Sequence, residues 1–132
     1  MAKRTRVISP KVAEPPPERW SNCLRVGDMV FVAGMVARVG DKIEGADEYE
    51  QSRIIFGKIK DLVEAAGGQM NDVVKVTIFV VNIRNNTKVW QARREFFTGD
   101  FPASTLVEIR ALATPDTLVE IEAIAMIGSS SA

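Results

Sequence analysis

Acid–base chemistry in this sequence has to be done by carboxylates, Tyr49, Cys23, lysines or backbone groups, because its 132 residues include no histidine. That absence removes Ser-His-Asp and Cys-His nucleophile pairs. It also removes the commonest ligand of zinc, copper and iron, so no metal site is expected. The carboxylates that invite attention lie near the C-terminus. Val107, Ile109 and Ala111, then Val119, Ile121, Ala123 and Ala125, alternate with Glu108, Arg110, Glu120 and Glu122. Such alternation predicts two strands with one apolar and one charged face. With a turn centred on Pro115, Arg110 falls opposite Glu120, and a cross-strand pair of that kind contributes roughly 0.2–1 kcal/mol. The alternative is that these carboxylates line a cleft and handle protons or water. Periodicity does not choose between the two.

The elements that position these residues follow from patterning. Pro10, Pro15, Pro16 and Pro17 fall within residues 1–19, which read as an extended arm. Strands are predicted over 22–26 and 29–38, joined at Gly27-Asp28. The run from Val30 through Val36 is apolar on both faces and needs cover on both. A helix is predicted over 47–66, with Asp47 and Glu50 as a capping box and Gly67-Gly68 as the stop. Ile55, Ile59, Leu62 and Ala66 form its apolar stripe. β-Branched residues over 73–83 predict a central strand. A second helix follows, capped by Asn86 or Thr87 and reaching Phe97, with Val89, Ala92 and Phe96 inward. Strands over 105–112 and 118–127 then form a hairpin about Thr114-Pro115-Asp116.

The order ββαβαββ predicts an α/β (α+β) fold, a single mixed β-sheet with two helices on one face. Residues 20–128 make one domain, and 129–132 read as a flexible tail. The sheet face without helices still needs a cover. Self-association supplies one, so a homo-oligomer is expected.

Seventeen basic and seventeen acidic side chains cancel. No global field draws the chain to nucleic acid or to a membrane surface. The lone Cys23 cannot form an internal disulfide, and no apolar run approaches the ~18 residues of a membrane span. Lys3, Arg4 and Arg6 are not followed by the apolar stretch of a secretory signal. A cytoplasmic location is the default expectation.

Four ordered blocks carry a family resemblance. Arg25-Val26-Gly27-Asp28-Met29-Val30-Phe31-Val32-Ala33-Gly34 resembles the "VGD-hydrophobic-FVSG" strand of the Rid (YjgF, reactive-intermediate deaminase) family. Asp72 to Val80 resembles its "DVVKTTVFV" strand, and Val63-Glu64-Ala65-Ala66-Gly67 also fits. Phe101-Pro102-Ala103-Ser104-Thr105, followed by the run from Leu118 to Ala125, resembles its "PARS…VEIEAIA" signature. The resemblance implies a chorismate-mutase-like fold assembled as a homotrimer, with a small-molecule ligand in each of three inter-subunit clefts. It also implies cofactor-independent hydrolysis of enamines or imines of amino acids, such as 2-aminoacrylate, to a 2-keto acid and ammonia.

In that pattern the arginine of Pro-Ala-Arg-Ser grips the substrate carboxylate, and the first glutamate of the last strand positions or activates water. Ser-Gly and an aromatic residue shape the pocket. Carried onto this sequence, Glu120 matches the glutamate and Gly34 the glycine. Trp20 stands in place of tyrosine and Ala33 in place of serine. Ser104, beside Thr105, stands in place of the arginine. A serine hydroxyl cannot neutralise a carboxylate, and losing such a contact costs on the order of 2–4 kcal/mol of binding. Arg38, at the end of the glycine strand, is the better-placed substitute; Arg110, Arg93 and Arg94 read as solvated charges.

The expected function is thus hydrolysis (deamination) of small imine- or enamine-type metabolites with altered specificity. The alternative is a non-catalytic trimer that binds a small metabolite. RNA cleavage, an activity name attached to the family, is disfavoured by zero net charge, no histidine and no basic stripe with interleaved aromatics.

Overall fold

A computed structural model describes residues 2–130. Strands β1 (Arg4–Arg6), β2 (Cys23–Val26) and β3 (Met29–Met35) run antiparallel, with Gly27 in the left-handed region at the β2–β3 turn. A two-stranded ribbon follows, β4 (Arg38–Val39) and β5 (Lys42–Ile43). Helix α1 (Glu48–Ala65), β6 (Val73–Val80), α2 (Asn86–Arg93), β7 (Ala103–Glu108) and β8 (Val119–Met126) complete the chain. The six-stranded sheet has the order β1-β2-β3-β8-β6-β7.

α1 starts as its sequence predicts. Asp47 accepts from Glu50 N at 2.9 Å, while Glu50 reaches back to Ala46 N, one residue before the cap. Ile55, Ile59 and Leu62 are fully buried and Ala66 nearly so. They pack with Val30, Val76, Ile78 and Ile121 in one core. α2 is shorter than expected and ends at Arg93. Asn85 stands at its N-cap without a side-chain cap bond, because its amide donates instead to the buried Glu48 at 2.8 Å. Val89 and Ala92 are buried, and Phe97 joins Phe96 in covering the core.

The C-terminal hairpin is corrected. β7 pairs with β6 in parallel, and β8 lies between β3 and β6, antiparallel to both. The physical reason is burial. The α2 crossover returns β7 alongside β6. β8, whose Val119, Ile121, Ala123 and Ala125 are all buried, then takes the middle of the sheet. Glu120 is therefore opposite Phe79 of β6, and the expected Arg110 pair does not form, since Arg110 is exposed in the 109–118 connection, outside any strand. The predicted inward set on β7 is reversed too. Leu106 packs on the core, whereas Val107 is 39% exposed and Ala111 is exposed.

Part of the expected arm over 1–19 is docked onto the sheet. β1 adds an edge strand, and Val7, Ser9 and Val12 are buried. At the other end Ser130 donates twice to Asp72, at 3.0 and 2.7 Å, while the rest of the expected tail, 131–132, lies outside the described residues. Both helices cover one face, as predicted. The opposite face presents Met29, Phe31, Val107 and Met126 to solvent. Among the described residues, no helix is long and apolar enough to cross a membrane.

Candidate active site

Glu120 projects from β8 on the helix-free face, because its neighbours Val119 and Ile121 point into the core. On one side it meets Phe79 of β6. On the other, the β3–β8 register shifts between Val32 and Met35, and Gly34 occupies that irregularity. A Cβ at residue 34 would lie 2.6 Å from Glu120 Oε2 and 2.9 Å from Cδ. The glycine therefore leaves the space in which the carboxylate rests.

Ala33 N donates to Asn22 O at 2.9 Å, which ties this irregular stretch to the residues before β2. The buried Asn22 in turn accepts from Trp20 Nε1 at 3.2 Å and donates to Ala13 O at 2.9 Å. Trp20, 53% exposed, is thus tethered at the same end of the sheet as Ala33, Gly34 and Glu120. Burial, and then the charge of Glu122, push the Glu120 carboxyl above the ordinary glutamate range. A half-buried carboxylate without a cation to stabilise it is a good proton acceptor for water or a bound substrate.

The second group of predicted residues sits elsewhere. Ser104 is opposite the buried Val76, which puts its side chain on the helix side of β7. Thr105, opposite Thr77, faces the open side and accepts from Lys75 Nζ at 2.7 Å. Ser104 and Glu120 therefore project from opposite faces of one sheet and do not meet within a chain. What does meet Ser104 is Arg93, whose Nη1 donates to Oγ at 2.9 Å. From the sequence, Arg93 reads as a surface charge. The available signal was the order β6, α2, β7, since a crossover helix packs over the strand it leads into.

Arg38, the expected substitute arginine, makes no hydrogen bond to Ser104 or Glu120 among the described residues. It is exposed, and its guanidinium donates to Asp41 O at 3.2 Å within its own ribbon turn. Its carbonyl and that of Val36 accept from Lys58 Nζ at 2.6 and 2.8 Å. An open depression of about 500 Å³ lies beside Asn71, Val74, Phe101 and Ser130, and another of about 410 Å³ beside Glu44, Arg53 and Phe96. Neither includes Glu120 or Ser104. Among the described residues, no group of acidic or cysteine side chains is placed to hold a metal ion.

The fold and site define a class: a small α+β chain with a mixed sheet covered on one face, and a carboxylate resting over a glycine on the other. A family model described as endoribonuclease L-PSP matches residues 11–127. A RutC family protein of Pyrococcus abyssi is 36% identical over 128 residues, covering 95% of this chain and 98% of that protein. A 2-iminobutanoate/2-iminopropanoate deaminase of Dermatophagoides farinae is 35% identical over 127 residues, covering 92% and 96%. Among solved structures, a protein of unknown function from Pseudomonas aeruginosa superposes with a TM-score of 0.89 at 36% identity, covering 97% and 95%. The chain belongs to the endoribonuclease L-PSP family, which is the Rid or YjgF family that its sequence blocks resemble.

Proposed function

We propose that this chain is a cofactor-independent hydrolase of small imine- or enamine-type metabolites, a deaminase, with specificity altered by serine at position 104. The observation that carries this reading is the Glu120 carboxylate, resting over Gly34 and held above its usual pKa without a cation. Glu120 takes a proton from water as the oxygen adds to the imine carbon. Glu120 gives that proton to the nitrogen of the tetrahedral adduct, then takes the remaining hydroxyl proton and delivers it to nitrogen as the C–N bond breaks, so ammonia leaves and the O–H electron pair forms the carbonyl. An enamine first takes a proton on its β-carbon to become the imine. The deaminase relative supports the reaction class.

The proposed site is a cleft between subunits of a homotrimer. Opposed faces support this, because Ser104 of one chain and Glu120 of another can share a cleft that one chain cannot enclose. The exposed Phe31, with Met29 and Met126 beside it on the helix-free face, supports association through that face. Phe31→Asp is expected to convert an oligomer to monomers in light scattering, since burying an unpaired carboxylate in such an interface costs several kcal/mol. An unchanged mass would remove this face from the assembly.

The reaction is tested by ammonia release from imino acids generated in situ by an amino-acid oxidase. No acceleration by the wild-type protein, together with thermal stabilisation by keto acids, would replace catalysis with metabolite binding. Gly34→Ala is expected to lower the rate about 10–100-fold, because its Cβ displaces Glu120 and small misplacements carry penalties of that size. Its melting temperature should change little, since Gly34 is exposed and the carboxylate can swing aside.

A further inference from the structure

Asn22 is buried immediately before β2, and both polar groups of its side chain are engaged. Its amide nitrogen donates to Ala13 O at 2.9 Å and to Glu14 Oε2 at 3.3 Å, while its Oδ1 accepts from Trp20 Nε1 at 3.2 Å. An indole N–H only donates and a peptide carbonyl only accepts, so these partners fit one orientation of the amide. The main chain adds a further bond, because Asn22 O accepts from Ala33 N at 2.9 Å. One residue thus joins the N-terminal arm, the tryptophan and the stretch that carries Gly34. Trp20 is 53% exposed, so its hydrogen bond rather than close packing fixes the ring.

The arm side of this hub is anchored in turn. Glu14 divides its carboxylate: Oε2 takes the Asn22 amide, and Oε1 takes Arg6 Nε at 3.0 Å and Nη2 at 2.7 Å. Arg6 Nη2 also donates to Trp20 O at 3.4 Å. Between Glu14 and Trp20 the chain passes through three prolines and then Glu18, whose φ of 65° lies in the left-handed region. Among the described residues no other non-glycine has a positive φ. A side chain is strained there, and such a conformation persists when the surrounding bonds over-determine it. The Glu14–Arg6 pair on one side and the Trp20–Asn22 bond on the other do so.

We infer that Asn22 is a positioning residue of the site, and that Glu14 and Arg6 make the N-terminal arm a working part of it. Trp20 and the Gly34 seat of Glu120 are held at one spacing through a single buried residue, which the arm keeps in place. Releasing the hub frees the indole and lets the Ala33–Gly34 stretch shift, and with it the space in which the Glu120 carboxylate rests. The inference rests on the hydrolase reading for its kinetic effect alone, since the hub itself has readouts that need no turnover.

The test uses the full-length protein. Asn22→Ala is expected to lower kcat/KM for imino acids generated in situ about 10–100-fold, the penalty for a displacement of about 1 Å. Glu14→Ala, at a part-exposed position, should act in the same direction but less, since Ala13 O still holds the amide. Amide hydrogen exchange separates positioning from general stability. In Glu14→Ala the Ala33 amide should exchange faster, while β6 amides such as Ile78 keep their wild-type rates. The Trp20 indole N–H resonance, told apart from that of Trp90 by comparison with Trp90→Phe, should move in Glu14→Ala as well.

A stationary indole resonance, or exchange that quickens equally at Ala33 and Ile78, overturns the inference. So does an unchanged kcat/KM in an Asn22→Ala protein that keeps its fold. Where Asn22→Ala does not fold, Glu14→Ala decides by the same measurements. Absence of wild-type turnover overturns the hydrolase reading instead, and the hub is then supported or rejected by Ala33 exchange and the indole resonance.

Discussion

Glu120→Gln is expected to reduce kcat for imine hydrolysis by about 10²–10⁴-fold, the usual contribution of a positioned general base. Glutamine keeps the size of the side chain and its seat over Gly34 but cannot accept a proton. In the wild type the rate should fall as the solution is acidified through the Glu120 pKa. That fall should begin above the ordinary glutamate range, because burial and then Glu122 raise this pKa.

The same shift has a stability consequence of opposite sense. A carboxyl whose folded pKa lies above its unfolded value favours the folded state while protonated, and this contribution is lost as pH rises through the folded pKa. Glu120→Gln should therefore be at least as stable as the wild type at neutral pH, with the difference closing in acid. Retained turnover would remove Glu120 from the reaction. A large loss of melting temperature at neutral pH would instead make it a structural residue.

Phe56→Ala is expected to lower unfolding free energy by about 3–5 kcal/mol, the range for a large buried aromatic truncated in a core. Phe56 is fully buried on α1. Its ring lies 5.6 Å from Phe96 and edge-on to Phe97 at 5.8 Å, so it joins α1 to the segment after α2. Losing those aromatic pairs adds to the cavity that the truncation leaves. A domain's whole stability is about 5–15 kcal/mol, so a drop in melting temperature on the order of 10–20 °C is expected. Urea unfolding monitored by tryptophan fluorescence measures it. A change below about 1 kcal/mol would mean that the segment after α2 collapses into the space.

Local chemistry made much of this molecule readable. The α1 stripe of Ile55, Ile59 and Leu62, the Asp47 cap and the Gly27-Asp28 turn depend on residues within a few positions of one another, so periodicity reports them directly. The blocks around Gly34 and Glu120 made the family legible for the same reason. Strand pairing is different. Residues 105–112 and 118–127 satisfy a hairpin pattern as well as they satisfy two separated strands, because alternation records which side chains share a face and not which strand lies alongside.

The site divides along the same line. By itself, the sequence determined that no histidine is present to do chemistry, that Glu120 and Gly34 match the family pattern, and that position 104 lacks an arginine. Only the tertiary structure decided that Glu120 rests over Gly34, that Ser104 faces the opposite side of the sheet, and that Arg93 reaches it from α2. Those relations join residues far apart in the chain. Strand order and helix crossover set them, through the burial of β8 in the middle of the sheet, and no local pattern encodes that choice.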